Sequence, residues 1–177
     1  MIKLTDLIQE AAGRTIHIYD FDDTLVKTDT TVKLVKADGT SDDLDSHEFA
    51  THKLKSGEKW DFGNFDKMIG KSKPLLKNIS FIKKSLNTPN IKTTILTARR
   101  LAFPIMYHLR KKYNIHAYVI GVGGSNPELK ADWIEKQVRD HGYTTVKFVD
   151  DAKPNLDAVI ARLKKYPNVK LTTIHIK

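Results

Sequence analysis

The 177-residue chain contains no cysteine. Disulfides, thiolate nucleophiles and thiolate metal sites are therefore excluded together, and any metal must be held by oxygen or by histidine nitrogen. Long apolar runs are missing as well: none approaches the ~20 residues that cross a bilayer as a helix, and mean hydropathy is −0.40. No GxxxxGK[ST] loop occurs, and Gly121-Val-Gly-Gly-Ser-Asn126 lacks the third glycine of a dinucleotide fingerprint. Internal repeats and low-complexity tracts are absent. Acid is in deficit, with 21 Asp and Glu against 30 Lys and Arg, a formal charge of +9. That balance favours anionic partners such as nucleic acid, nucleotides or phosphorylated metabolites.

What is present is an ordinary globular mixture, 40% hydrophobic and 29% charged. The length suits a single domain over residues 1–177, long enough to bury its own core. Residues 1–12 read as a short amphipathic helix on Leu4, Leu7, Ile8 and Ala11, without the features of a signal peptide. A cytoplasmic protein with no membrane partner is expected.

Apolar residues alternate between two periodicities along the chain. Candidate strands, rich in β-branched and aromatic residues, are Thr15–Tyr19, Lys92–Leu96, Ala117–Val122, Thr145–Val149 and Val169–Ile176. Helical stripes separate them: Leu75, Ile79, Ile82 and Leu86; Ile105, Leu109 and Tyr113; Ile134 and Val138; Leu156, Val159, Ile160 and Leu163. Pro74, Pro104, Pro127 and Pro154 fall near helix starts, where a missing N–H costs least, and Ser125-Asn-Pro-Glu128 fits a capping box. This order predicts an α/β fold, a three-layer Rossmann-like parallel sheet with ligands at the carboxyl ends of its strands. Residues 26–73 break the alternation and read as a small cap or flap, with a hairpin around Asp38-Gly39.

Asp20, Asp22 and Asp23 crowd the end of the first strand in Ile16–Val26, IHIYDFDDTLV. Carboxylates that close repel one another unless a cation or a basic group holds them. A calcium EF-hand is excluded, because its sixth and twelfth positions, glycine and glutamate, are here Leu25 and Thr31. A second pair, Asp150 and Asp151, follows Val146, Phe148 and Val149. In a parallel sheet both strand ends share one edge, so Asp20, Asp22 and Asp150 can converge on Mg²⁺, a hard ion that keeps part of its water. Thr97 ends another strand, and Lys130 begins a helix. A carboxylate, a divalent ion, a hydroxyl and a lysine form a set suited to phosphoryl transfer.

In that order and spacing DFDDTL, ILTAR, Lys130 and FVDDAKPN resemble the four motifs of the haloacid dehalogenase-like phosphatase superfamily, over residues 15–176. The resemblance implies that Asp20 attacks phosphorus and that Asp22, protonated for that step, is the general acid and then the base for water. Thr24 would orient the acid loop. Thr97, with Ala98 and Arg99 beside it, and Lys130 would bind the phosphoryl oxygens. Mg²⁺ would lie on Asp20, the backbone carbonyl of Asp22 and Asp150, with Asp151 orienting Lys130 or a metal-bound water. Asp23 stands where many relatives carry glycine. The paired aspartates of the last motif and the short insertion resemble the 3′-phosphatase domain of bacteriophage polynucleotide kinases, which makes the terminal phosphate of DNA or RNA the preferred substrate. A nucleotidase, a protein phosphatase and a non-catalytic nucleic-acid-binding module are the alternatives.

Other residues carry blander expectations. Arg99 and Arg100 either contact substrate phosphate or lie exposed at a helix start. Trp60, Phe62 and Phe65, near Lys53, Lys55, Lys59 and Lys67, either stack bases or, as the favoured reading, anchor the insertion. His17 and His175, inside strand patterns, are expected to be packed. Arg110-Lys-Lys112 reads as a solvated helix C-terminus.

Overall fold

In the computed structural model the described residues are 13–67 and 71–177. The helix expected over residues 1–12 lies outside them. Five strands form one parallel sheet: β1 (Arg14–Tyr19), β7 (Ile91–Thr97), β8 (Tyr118–Gly121), β9 (Tyr143–Asp150) and β10 (Lys170–His175), in the spatial order β10-β9-β1-β7-β8. Each matches an expected strand to within about two residues, because runs such as Ile16-His-Ile18 and Val146-Lys-Phe148 place β-branched and aromatic side chains on a pleated surface.

Helices cover both faces. On one face α3 (Leu76–Leu86) and α4 (Ala102–Tyr113) seat Ile79, Ile82, Ile105 and Leu109 against Tyr19, Ile95 and Val119. On the other, α5 (Pro127–His141) and α6 (Lys153–Leu163) seat Ile134, Val138, Leu156 and Val159 against Ile16, Ile18, Val146 and Phe148. The alternation within β1, Ile16 and Ile18 to one side and Tyr19 to the other, reflects the two-residue period of a strand. Burial of this kind contributes about 25 cal/mol per Å² of apolar surface.

The caps follow from local chemistry. The Asn126 side chain accepts from the Glu128 backbone N–H, and Pro127 follows at the first helical position. Asn126 therefore caps α5, where the expected capping box put Ser125. Its shorter reach to the N2 amide leaves the Ser125 side chain outside the cap. Gly142 ends α5 with a φ of 67°, a left-handed conformation that glycine adopts without a Cβ clash.

The segment between β1 and α3 forms its own small unit. Strands β2 (Val26–Thr28) and β6 (Ser72–Pro74) pair antiparallel as its stem. Beyond the stem β3 (Val32–Val35), β4 (Ser41–Leu44) and β5 (Lys59–Asp61) make an antiparallel sheet in the order β4-β3-β5, with short helices α1 (Ser46–Thr51) and α2 (Gly63–Lys67). The expected hairpin is there: Val35 pairs with Ser41, and the turn closes with Lys36 N–H donating to the Thr40 carbonyl at 2.8 Å. Phe49, Phe65 and Val32 form its core, with Trp60, Phe62 and Ala98 packed against them. The aromatic residues thus anchor the insertion, and Ala98 at the end of β7 is where they meet the main sheet.

Candidate active site

The chain runs from β1 outward to β7 and β8 and then returns to the other side of β1 as β9 and β10. A crevice opens at such a reversal, at the carboxyl ends of the strands. Tyr19 pairs with Val149, and the Asp20 N–H donates to the Val149 carbonyl at 2.9 Å. This register sets Asp20 beside Asp150.

A tight loop follows β1. Leu25 and Val26 N–H groups donate to the Phe21 carbonyl, and Asp23 N–H donates to the Val26 carbonyl. Asp23 has a φ of 53°. This left-handed region suits glycine and is tolerated by aspartate. The loop carries Asp20, Asp22 and Thr24, all buried.

Lys130 rises from the first turn of α5 and spans two carboxylates, donating to Asp20 Oδ1 at 2.7 Å and Asp150 Oδ2 at 2.8 Å. Asn155 donates to both Asp150 oxygens at 3.0 and 3.1 Å, and the Ala152 N–H donates to Oδ1 at 2.8 Å. Thr24 and Asp151 are linked twice, Thr24 Oγ1 donating to Asp151 Oδ1 at 3.0 Å and the Asp151 N–H donating to Thr24 Oγ1 at 3.1 Å. The strand ends are thereby cross-braced before any ligand binds.

Burial pushes the Asp20 carboxyl well above its usual range; Lys130 opposes the shift, while Asp150 and Asp151 add to it. Asp151 is raised to about 6, first by burial and then by Asp150, against the Thr24 hydrogen bond. For Lys130 burial acts downward, but the Asp150 and Asp20 carboxylates outweigh it and hold the ammonium charged. One ammonium thus faces several acids in a largely buried crevice.

Carboxylate oxygens of Asp20, Asp150 and Asp151 lie within 4.8 Å of one another. Oxygen-only donors of this kind fit a hard divalent ion such as Mg²⁺. Asp151, expected beyond the ion, belongs to this carboxylate set; the Asp22 side chain does not. A cavity of about 40 Å³ adjoins the set, lined by Asp20, Asp22, Thr97, Ala98, Lys130 and Asp150 together with Ser125 and the insertion residues Phe49 and Phe65. It opens to solvent and has room for a small polar group against the carboxylates.

Arg99 departs from both expectations made for it. It is fully buried, not exposed, and its guanidinium is committed within the protein. Nε donates to Asp22 Oδ2 at 2.8 Å and Nη2 to Asp22 Oδ1 at 2.7 Å, with further bonds to Thr30 Oγ1 at 2.7 Å and to the Phe65 carbonyl. The reading of the Arg99 side chain as a phosphate ligand does not match this placement: its described guanidinium bonds go to Asp22 and the insertion. Arg100 is exposed, as one reading had it, and its backbone N–H and Nε reach buried Asp66 at 2.9 and 3.1 Å. His17 is half-buried against Ser85 Oγ at 2.7 Å. His175, expected to be packed, is exposed because β10 is an edge strand, and its Nε2 lies 2.8 Å from the Asp151 carbonyl oxygen.

Sequence reasoning missed Phe49, Ser125 and Asn155. Asn155 was legible as the last residue of FVDDAKPN. Phe49 had no local signal, since only the folding of the insertion brings it over the site. No family model matches this sequence, and no curated protein aligns with it significantly.

Proposed function

We propose that the chain is a Mg²⁺-dependent phosphomonoesterase of the haloacid dehalogenase-like kind, acting through an aspartyl-phosphate on Asp20, with nucleic-acid 3′-terminal phosphates as substrate. The observation that carries this reading is the convergence of Asp20, Asp150 and Asp151 around Lys130 at one strand-end crevice. Bound Mg²⁺ would neutralise the phosphoryl group and relieve repulsion among the carboxylates. An Asp20 oxygen attacks phosphorus, the P–O bond to the leaving group breaks, and Asp22 gives that oxygen its proton. Asp22 then takes a proton from the water that attacks phosphorus and releases inorganic phosphate, restoring Asp20.

Thr97 and Lys130 line the cavity where phosphoryl oxygens would sit, and Thr24 holds the acid loop to Asp151. Both Asp22 oxygens accept from Arg99, so the acid step requires one of these bonds to be exchanged for the leaving oxygen. The small cavity supports a substrate whose phosphate enters while its body stays outside, as a polynucleotide end would.

The test is phosphate release from an aryl phosphate with Mg²⁺. Activity should vanish with EDTA and in Asp20→Asn. A 3′-phosphorylated oligonucleotide should then be preferred to its 5′-phosphorylated counterpart, a mononucleotide and a phosphopeptide. Full turnover by Asp20→Asn would remove the nucleophile, and preference for the phosphopeptide would remove the substrate class.

A further inference from the structure

The insertion over residues 26–73 holds nine lysines and nine acidic residues, so the whole +9 of the chain lies outside it. The insertion thus carries no net charge, and the excess positive charge that favours an anionic polymer lies in the main domain. One face of α4 has the necessary composition. Phe103 is 72% exposed and Tyr107 57%, and their rings stack with centroids 6.3 Å apart and planes inclined by 28°. Arg110 and Lys111 are exposed one turn further on, with Lys111 Nζ 5.8 Å from the Tyr107 ring centroid. These four residues occupy positions i, i+4, i+7 and i+8, which share one side of a helix.

Two rings this exposed on a helix are not explained by the core, whose side of α4 is supplied by Ile105 and Leu109. The strip is also continuous with the site. Thr97 and Ala98 line the catalytic cavity, the exposed Arg100 follows two residues on, and α4 begins at Ala102. From there the helix's twelve residues lead away from the site over about 18 Å, the length of about three nucleotides.

We propose that the Phe103–Tyr107–Arg110–Lys111 face of α4 is a binding track for single-stranded nucleic acid, stacking bases on the two rings while the cations hold backbone phosphates. Every base offers a π-face, so such a track accepts any sequence, and positive charge between rings complements the strand. The direction of the strand, its 3′ end entering the cavity past Arg100, rests on the phosphomonoesterase reading. The track itself does not.

Fluorescence anisotropy with labelled 12-nucleotide DNA and RNA strands lacking a terminal phosphate separates the two. Phe103→Ala/Tyr107→Ala should weaken binding at least tenfold, and Phe103→Tyr/Tyr107→Phe should restore it. Arg110→Gln/Lys111→Gln should lower the slope of log affinity against log salt by about 1.4. The exposed Tyr118→Ala serves as a control and should bind like the wild type. Unchanged affinity in the ring variant overturns the track. So does a wild-type dimer that the ring variant converts to monomer with strand affinity intact, which would make the strip a self-association surface. Wild-type protein with Mg²⁺ that binds a 3′-phosphorylated strand through the same rings but releases no phosphate from it would refute the phosphatase reading and leave the track standing.

Discussion

Arg99 grips Asp22 through both carboxylate oxygens, at 2.8 and 2.7 Å, while the same guanidinium bonds to Thr30 and the Phe65 carbonyl of the insertion and lies 4.0 Å from the Phe65 ring centroid. One side chain therefore ties the loop after β1 to the unit that covers it. The guanidinium fork makes this possible, because five fixed donors serve a carboxylate and a second element at once.

Arg99→Ala would leave buried Asp22 without its cation and strip the insertion of one of its polar anchors. Breaking a buried pair from one side costs about 3–5 kcal/mol. Urea unfolding should show a loss in that range, and Arg99→Lys should recover only part of it because a point charge cannot hold both oxygens. A loss below about 1 kcal/mol would mean that water replaces the guanidinium and that the contact is not structural.

Lys130 is the cation of the metal-free site, and Mg²⁺ would share its carboxylates. Mg²⁺ at ten times its dissociation constant should add about 1.4 kcal/mol, or roughly 3–5 °C in Tm for a chain of this size. Asp150→Asn should abolish that shift. In Lys130→Met, the metal-free protein should lose about 3 kcal/mol or more, because Asp20 and Asp150 then face each other uncompensated, and Mg²⁺ should restore part of the loss. Identical melting curves with and without Mg²⁺ in the wild type would argue against any ion at this cluster.

The sheet was legible because each of its strands is rich in β-branched or aromatic residues, and each intervening helix carries a stripe of matching period. The Asp20–Asp150 juxtaposition followed from parallel topology alone, since both residues end strands. Local pattern could not reveal the partners that arrive from far away in sequence. Arg99 read as a phosphate contact or an exposed residue at a helix start, because nothing local shows the insertion folding over it, and Phe49 reaches the cavity through a tertiary contact with Phe65. Asn126 displaced Ser125 as the cap because both are good acceptors, and only backbone geometry chooses between them.

His17 provides a pH signature separate from the acidic cluster. Burial, and secondly Lys147, lower its imidazole from 6.5 to about 4. Between those values the unfolded chain takes up a proton that the folded chain refuses, so stability falls as pH drops from 6.5 towards 4 and is level on this account above 6.5. His17→Asn, which can still meet Ser85, should show a weaker fall over the same range. Equal slopes for the two proteins in urea titrations at pH 4.5, 5.5 and 7 would show that other groups govern the acid response.

Gly121 ends β8 beside the Arg99–Arg100 turn, and here space rather than backbone angle demands glycine. A Cβ would intrude on the Arg99 carbonyl oxygen and lie 2.6 Å from that of Arg100. Neither atom can yield cheaply. The Thr97 carbonyl accepts from the Val122 N–H at 2.9 Å, and the Arg100 N–H is fixed on Asp66, also at 2.9 Å. Gly121→Ala should therefore push the turn outward, drag Arg99 off Asp22 and cost about 1–3 kcal/mol. Its effect should be far less than additive with that of Arg99→Ala, because both act through one contact. A double variant whose loss equals the sum of the two single losses would place the Gly121 strain elsewhere and separate it from the Arg99–Asp22 contact.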